Sequence, residues 1–480
     1  MGNPDRWGLP QAAVESLGED LHAFWTRYRA CLRTRTRDTS ANAYLYWRGQ
    51  LSMEDRRNFA NIDRRLQGGD GQALQQFMSD SPWRKQAVFD QIQAEVRVHP
   101  ALQVGGVLVL DESSDETAGS AAAGAGRQHN GRLGKLELSV TTVGLTFVHP
   151  ATATWVLIDG ELFLPQDWFS PAYAARRAAV DLPAERGFLT KPQLGLAMLQ
   201  RVQAGGMSIA LLACDDLYGK SRDFRAAVDG AHVIYAAEVP GSTQVYLQCP
   251  KIGVSRRRPR GKPPTKLKVL SRQVAHEARA LARSGQVTWQ RVVVRPSERG
   301  DLIADFAVRS IWTLTNDMRA RPEWLVMRRD SQGQIIFVLL NAPETTPESV
   351  LIQHACQRYF TERLYEDAKS ELGWADLQAR KYLAWEHHTA LTAAATWFVA
   401  EEKLKWRAAY ARDPALAQQL AVDVLPALST ANVRELLQAV LPVPQLTPQQ
   451  ARELVTTHLV NRARSTASRL KTQRSYDDSG

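Results

Sequence analysis

Two short apolar runs constrain this chain most: "GGVLVLD", ending on Asp111, and "SIALLACD", ending on Asp215. Runs of this kind sit in the middle of a sheet and predict central strands, and with helical stretches such as "KPQLGLAMLQRVQ" between strands they predict an α/β core. Both acids are expected to emerge at strand ends. Ligands of open α/β sheets bind outside the carboxyl ends of the central strands. The two aspartates therefore read either as ligands shared by divalent cations or as turn formers and helix caps, the commoner role of a lone aspartate at such a place.

Around that core the chain divides into zones. Residues 1–100 read as a helical, DNA-binding region. There "FWTRYRACLRTRTR" brings Arg27, Arg29, Arg33, Arg35 and Arg37 together with no acid among them, and the aromatic "AYLYWRG" follows. Residues 101–229 form the first part of the core, 230–345 a β-rich basic insertion, 346–400 the remainder of the core on a helix, and 401–480 a basic C-terminal helical region ending in "HLVNRARSTASRLKTQRS". The segment "SSDETAGSAAAGAG", rich in small residues, is expected to be a loop. With 480 residues, 44% of them hydrophobic and 23% charged, the chain suits a soluble protein of several domains. Lys and Arg outnumber Asp and Glu by 60 to 50, which favours a polyanionic partner. Cys31, Cys214, Cys249 and Cys356 are scattered, so neither a zinc knuckle nor a disulfide framework is expected, and a reducing cytoplasm fits. Neither a leader peptide nor a membrane span is read in the sequence.

A third feature lies in "RYFTERLYEDAKSELG". At about 100° per residue, Arg358, Glu362, Tyr365 and Lys369 fall within roughly 60° of one another on a helix. Such a face reads either as a solvated surface laced with ion pairs, Lys369 to Glu366 for instance, or as a functional face on which Glu362 is a third carboxylate beside Asp111 and Asp215. Three hard oxygen ligands are what Mg²⁺ requires when phosphate and water complete its shell.

The order Asp, Asp, Glu, with the last inside R-x3-E-x6-K, resembles a DDE transposase of a bacterial insertion sequence, of the group typified by insertion sequence 701. The resemblance runs over most of the chain. It is carried by "GRQHNGRLGK" after Asp111, by "GELFLPQDW" and "LTKPQLGLAML", by "ACDDLYGKSRDFR" around Asp215, and by "EWLVMRRDSQGQIIFVLLNAPETTP" leading into the glutamate helix. It implies an RNase H-like mixed-sheet core with a β-rich insertion, flanked by N- and C-terminal helical regions. It further implies a catalytic set of Asp111, Asp215 and Glu362 that holds two Mg²⁺ ions, with Mn²⁺ able to substitute. The activity implied is cutting of insertion-sequence ends and joining of the freed 3′-hydroxyl to target DNA. Arg358 and Lys369 would lie against phosphates, and the partners would be terminal inverted repeats, target DNA and a second copy of the chain, in the bacterial cytoplasm at the nucleoid. The sequence departs from the family pattern in three places. Ala355 stands where the related signature has tyrosine, Glu-Ser-Ser follows Asp111 where relatives have Asp-Thr-Gly, and Thr117 and Ala118 replace loop lysines.

The insertion carries "SRRRPRGKPPTKLK", in which Arg256, Arg257, Arg258, Arg260 and Lys262 form an acid-free block that reads either as DNA-binding or as a solvated loop. Some relatives hold a flipped base on a tryptophan of this insertion, but Trp289, Trp312 and Trp324 read first as core aromatics and none is assigned. Two alternatives to a working transposase stay open: a catalytically silent, domesticated DNA-binding descendant, and a structure-selective nuclease on the same fold.

Overall fold

The computed structural model describes residues 9–117, 119–130, 134–255, 264–270, 272–297, 300–409 and 428–477. The two apolar runs form neighbouring parallel strands. β1 (Val107–Glu116) pairs in parallel with β5 (Leu211–Cys214) from Leu108↔Leu212 to Leu110↔Cys214. On its other side β1 pairs antiparallel with β3 (Lys135–His149) along its whole length, Asp111 facing Gly144. The outer edge of β3 carries β2 (Gly126–Asn130) over its first part and β4 (Thr154–Phe163) over the rest. β6 (Ile234–Val239) adds to β5 in parallel. The order β4-β3-β1-β5-β6, three antiparallel strands followed by two parallel ones, is the mixed sheet of an RNase H-like core.

The insertion extends this sheet. It contributes the small strands β7 (Gln244–Val245), β8 (Ile252–Val254), β9 (Leu267–Val269) and β10 (His276–Glu277), then the long strands β11 (Gln290–Ser297), β12 (Gly300–Leu314), β13 (Ala320–Arg329) and β14 (Ile335–Leu340). β14 pairs antiparallel with β6, and β13, β12 and β11 follow in order to complete ten strands. Arg256, Arg257, Arg258, Arg260 and Lys262 lie outside the described residues.

Alternation sorts the strand side chains onto two faces. One buries Leu108, Leu110, Leu212, Cys214, Tyr235 and Ala237 beneath Leu194, Met198 and Val202 of the helix Lys191–Ala204 and Phe224 and Val228 of the helix Arg222–Gly230. The helix over 191–204 begins where the sequence provides a reciprocal cap, Thr190 and Gln193 each bonding the other's backbone N–H. On the other face Val107, Val109, Ala213, Ala236, Val326 and Val338 pack against Leu351 and Ile352 of the helix Glu348–Ala355. Asp111 continues the second alternation from Val107 and Val109.

The N-terminal helices are sealed into the same core. Phe24 meets Phe398 edge-on at 5.4 Å, and the Trp47 indole N–H donates to the Leu391 carbonyl at 2.9 Å, both on the long helix Tyr382–Ala409. The arginine-rich stretch finds its acids from elsewhere: Arg27 pairs with Glu95 and Glu401, and Arg29 and Arg33 both pair with Asp38. No helix among the described residues is long and apolar enough to cross a membrane.

Candidate active site

Asp111 was expected at a strand end, yet β1 runs on through "ESSDE" to Glu116. What ends at Asp111 is the parallel pairing: β5 stops at Cys214, opposite Leu110. Beyond that point β1 has lost its neighbour on the β5 side, and the Asp111 side chain stands at the opened edge. Its Oδ1 accepts from the Glu112 N–H at 2.8 Å. Asp215 follows β5 directly and caps the short helix Asp216–Gly219, with Oδ1 accepting from Leu217 and Tyr218 at 3.0 and 3.4 Å. The helix-cap reading of this aspartate is thus realised, and the cap engages one oxygen and fixes the carboxylate beside β1.

Glu362 comes from the helix Tyr359–Ser370, which lies across β1. The mixed face of that helix is explained residue by residue. Arg358, at its N-terminus, brings three carboxylates to one guanidinium: Nε lies 3.4 Å from Asp111, Nη1 3.1 Å from Glu238 on β6, and Nη2 3.6 Å from Glu362. Tyr365 lies over Gly144, and its hydroxyl points at the Asp111 carbonyl at 3.5 Å. A side chain at 144 has no space, because an added Cβ would fall 2.2 Å from that hydroxyl. Lys369 donates to the Ser114 carbonyl at 2.9 Å and pairs with Asp115 at 3.0 Å, while Glu366, its expected partner, is paired to Arg363. The far end of the helix is held by Arg57 from the N-terminal region, whose buried guanidinium donates to the Ser370 and Glu371 carbonyls and pairs with Asp376 at 3.2 Å.

The electrostatics record a crowd of acids. Burial pushes the Asp111 carboxyl up to about 7 against the pull of Arg358, with Asp215 adding repulsion. Burial likewise raises Asp215 to about 6 and lifts Glu238 above the usual carboxylate range. Arg358 loses some basicity to burial, but the charges of Asp111, Glu238, Glu362 and Asp215 outweigh that and raise it.

Residues 27–300 match the family described as DDE superfamily endonuclease. The chain belongs to that superfamily. The matched span takes in Asp111, Asp215 and Glu238 and ends before Glu362. Over 317 residues the chain is also 23% identical to a protein of Microchaete diplosiphon described as a probable transposase for insertion sequence element IS701, covering 65% of this chain and 69% of that one.

Among the described residues of this DDE endonuclease, no three His, Cys, Asp or Glu side chains stand together as a ready metal cage. Arg358 lies among the acids instead. The donor set nevertheless suits a hard divalent cation, because all the candidate ligands are carboxylate oxygens and burial disfavours the charge on two of them, a penalty that a cation at the opened edge would relieve. Two neighbours of the site escaped sequence reasoning. Glu238 ends a third short apolar run, "IYAA", and so carries the signal that singled out Asp111 and Asp215. Tyr218 is buried with its hydroxyl unpartnered, near enough to Glu112, Asp111, Asp215 and Tyr365 to feel their charges.

Proposed function

We propose that this DDE endonuclease is a transposase that cuts insertion-sequence ends and joins the freed 3′-hydroxyl to target DNA. The reading is supported chiefly by one observation: carboxylates from β1, β6 and the helix Tyr359–Ser370 meet at the Arg358 guanidinium, with Asp215 close enough to act on it electrostatically. Asp111, Asp215 and Glu362 are the residues that would hold divalent cations. Two Mg²⁺ ions held there, or Mn²⁺ in their place, would supply activation of the attacking water or 3′-hydroxyl and stabilisation of the leaving oxygen. Arg358, released from Asp111 and Glu362, presents a fork of N–H donors to a phosphate of the bound end. Joining requires two ends in one complex, the reason to assign the active form two copies of the chain. Arg256, Arg257, Arg258, Arg260 and Lys262 are assigned to the DNA backbone on charge alone.

The test uses the full chain, DNA carrying the sequences that border its own gene, a supercoiled target plasmid, and Mg²⁺ or Mn²⁺. The expected products are a 3′-hydroxyl at the element end and, later, that end joined to the plasmid. Asp111→Asn, Asp215→Asn and Glu362→Gln should each remove both products and leave end binding in place. Binding without cleavage by the unaltered chain would establish a silent descendant, and cleavage of branched DNA regardless of end sequence would establish a structure-selective nuclease.

A further inference from the structure

Arg358 is held by three acids, and the contacts are unequal. Only the one to Glu238, at 3.1 Å, has hydrogen-bond geometry, while those to Asp111 and Glu362 are longer ion pairs. If Asp111 and Glu362 are the cation ligands, a divalent ion competes with the guanidinium for their charge and weakens both of its longer pairings. Cation loading leaves Arg358 with the Glu238 carboxylate as its partner in this cluster.

Glu238 is well built for that part. It lies on β6 between two strands, its backbone paired across to Val338 on β14, and β6 itself is paired to β5 on the other side. Against its carbonyl presses the backbone of Gly219, where an added Cβ would fall 1.8 Å from the Glu238 oxygen. The short helix capped by Asp215 and the strand bearing Glu238 are thereby locked together. Its side chain is 18% exposed, on the same sheet face as Asp111, and the charge of Arg328 from β13 also reaches it.

Resting on the proposed cation site, we infer that Glu238 is a positioning residue that anchors Arg358 at the rim of the site when the cations take Asp111 and Glu362. Nη1 stays on Glu238. Nε and Nη2, freed from Asp111 and Glu362, turn to the phosphate. Without Glu238 the guanidinium settles on Asp111 and Glu362 and opposes the cation.

The experiment is a double-mutant cycle on the full chain with Glu238→Gln and Arg358→Gln, read first as Mn²⁺ binding by electron paramagnetic resonance without DNA and then as end cleavage. Glu238→Gln alone should weaken Mn²⁺ binding about tenfold, the loss typical of removing a partner that orients a metal site. In the Arg358→Gln background the same change should leave Mn²⁺ affinity within about twofold, because the competitor is gone. Glu238→Asp, which keeps the charge, should recover part of the affinity and serves as the second variant if Glu238→Gln folds poorly. Equal losses in both backgrounds would overturn the inference and make Glu238 a cation ligand in its own right. An unaltered chain that binds no Mn²⁺ would overturn the reading of the site and this inference with it.

Discussion

Gly144→Ala tests how the helix Tyr359–Ser370 is seated on β1 and β3. The new methyl would fall 2.2 Å from the Tyr365 hydroxyl, 2.8 Å from Leu157 Cδ1 and 3.4 Å from Tyr365 Cζ. The Leu157 methyl is the tip of a flexible side chain and can move cheaply, but the Tyr365 ring is buried between its helix and the paired strands β1 and β3. Overpacking of this kind costs about 1–3 kcal/mol, which should appear as a lower urea midpoint at unchanged slope. Tyr365→Phe removes the clashing oxygen together with a long bond to the Asp111 carbonyl, at a cost of about 1 kcal/mol or less. In the double variant the nearest ring atom is the carbon at 3.4 Å, an acceptable contact, so the two changes should be non-additive by about 1 kcal/mol or more. End cleavage should follow the same pattern, falling in Gly144→Ala and partly returning in the double variant, since Glu362 rides on the helix that Tyr365 seats. Strict additivity in urea would refute this account of the contact between Gly144 and Tyr365.

Three further outcomes follow from other contacts. Arg57→Met should destabilise the chain by about 3 kcal/mol, because a buried guanidinium that serves two helix-end carbonyls and Asp376 is removed, and end cleavage should fall with it; urea melts at pH 7 check this, and a change under about 0.5 kcal/mol would count against it. His388 is buried between the Tyr46 hydroxyl at 2.8 Å and the Trp374 carbonyl at 3.0 Å, and burial lowers it to about 4. The unfolded chain, with an ordinary histidine near 6.5, therefore takes up the proton first as the medium is acidified, so stability should be fully present above pH 6.5 and fall towards pH 4. A His388→Gln variant should show a shallower fall over that window, and an unchanged slope would remove His388 from the account. Lys369→Ala should lower the urea midpoint, because Asp115 loses a partner; an unchanged midpoint with a salt slope of end binding reduced by about one charge would instead assign Lys369 to a DNA phosphate.

What could be read from the sequence was what local pattern determines. The runs before Asp111 and Asp215 became β1 and β5, short uninterrupted apolar stretches suiting a sheet covered on both faces. The helix over 191–204 was legible as the helical stretch "KPQLGLAMLQRVQ", and the structure adds its reciprocal cap. "SSDE" was misread as loop because its residues are turn formers, and its strand character depends on partners far along the chain: Asp115 is held by the Trp374 indole N–H at 2.8 Å and by Lys369. The arrangement of Arg358 among the acids was equally hidden, since helical spacing shows which side chains share a face and not what lies opposite. Glu238 is a different case. Its signal was the same as that of the two aspartates, an acid closing an apolar run, but it falls inside the zone read as a basic insertion.

The chain leaves the core at the end of β6 and returns on β14, and the two strands are hydrogen-bonded neighbours, with Val239 opposite Phe337. Everything between them therefore hangs from two stems already held at the separation of an antiparallel pair, and lengthening that loop costs only about 0.6 kcal/mol for each doubling. Sequence can be gained, lost or exchanged there without moving the strands that carry Asp111 and Glu238. The β6–β14 junction is therefore a seam at which segments can be exchanged while the helix carrying Glu362 keeps its seat.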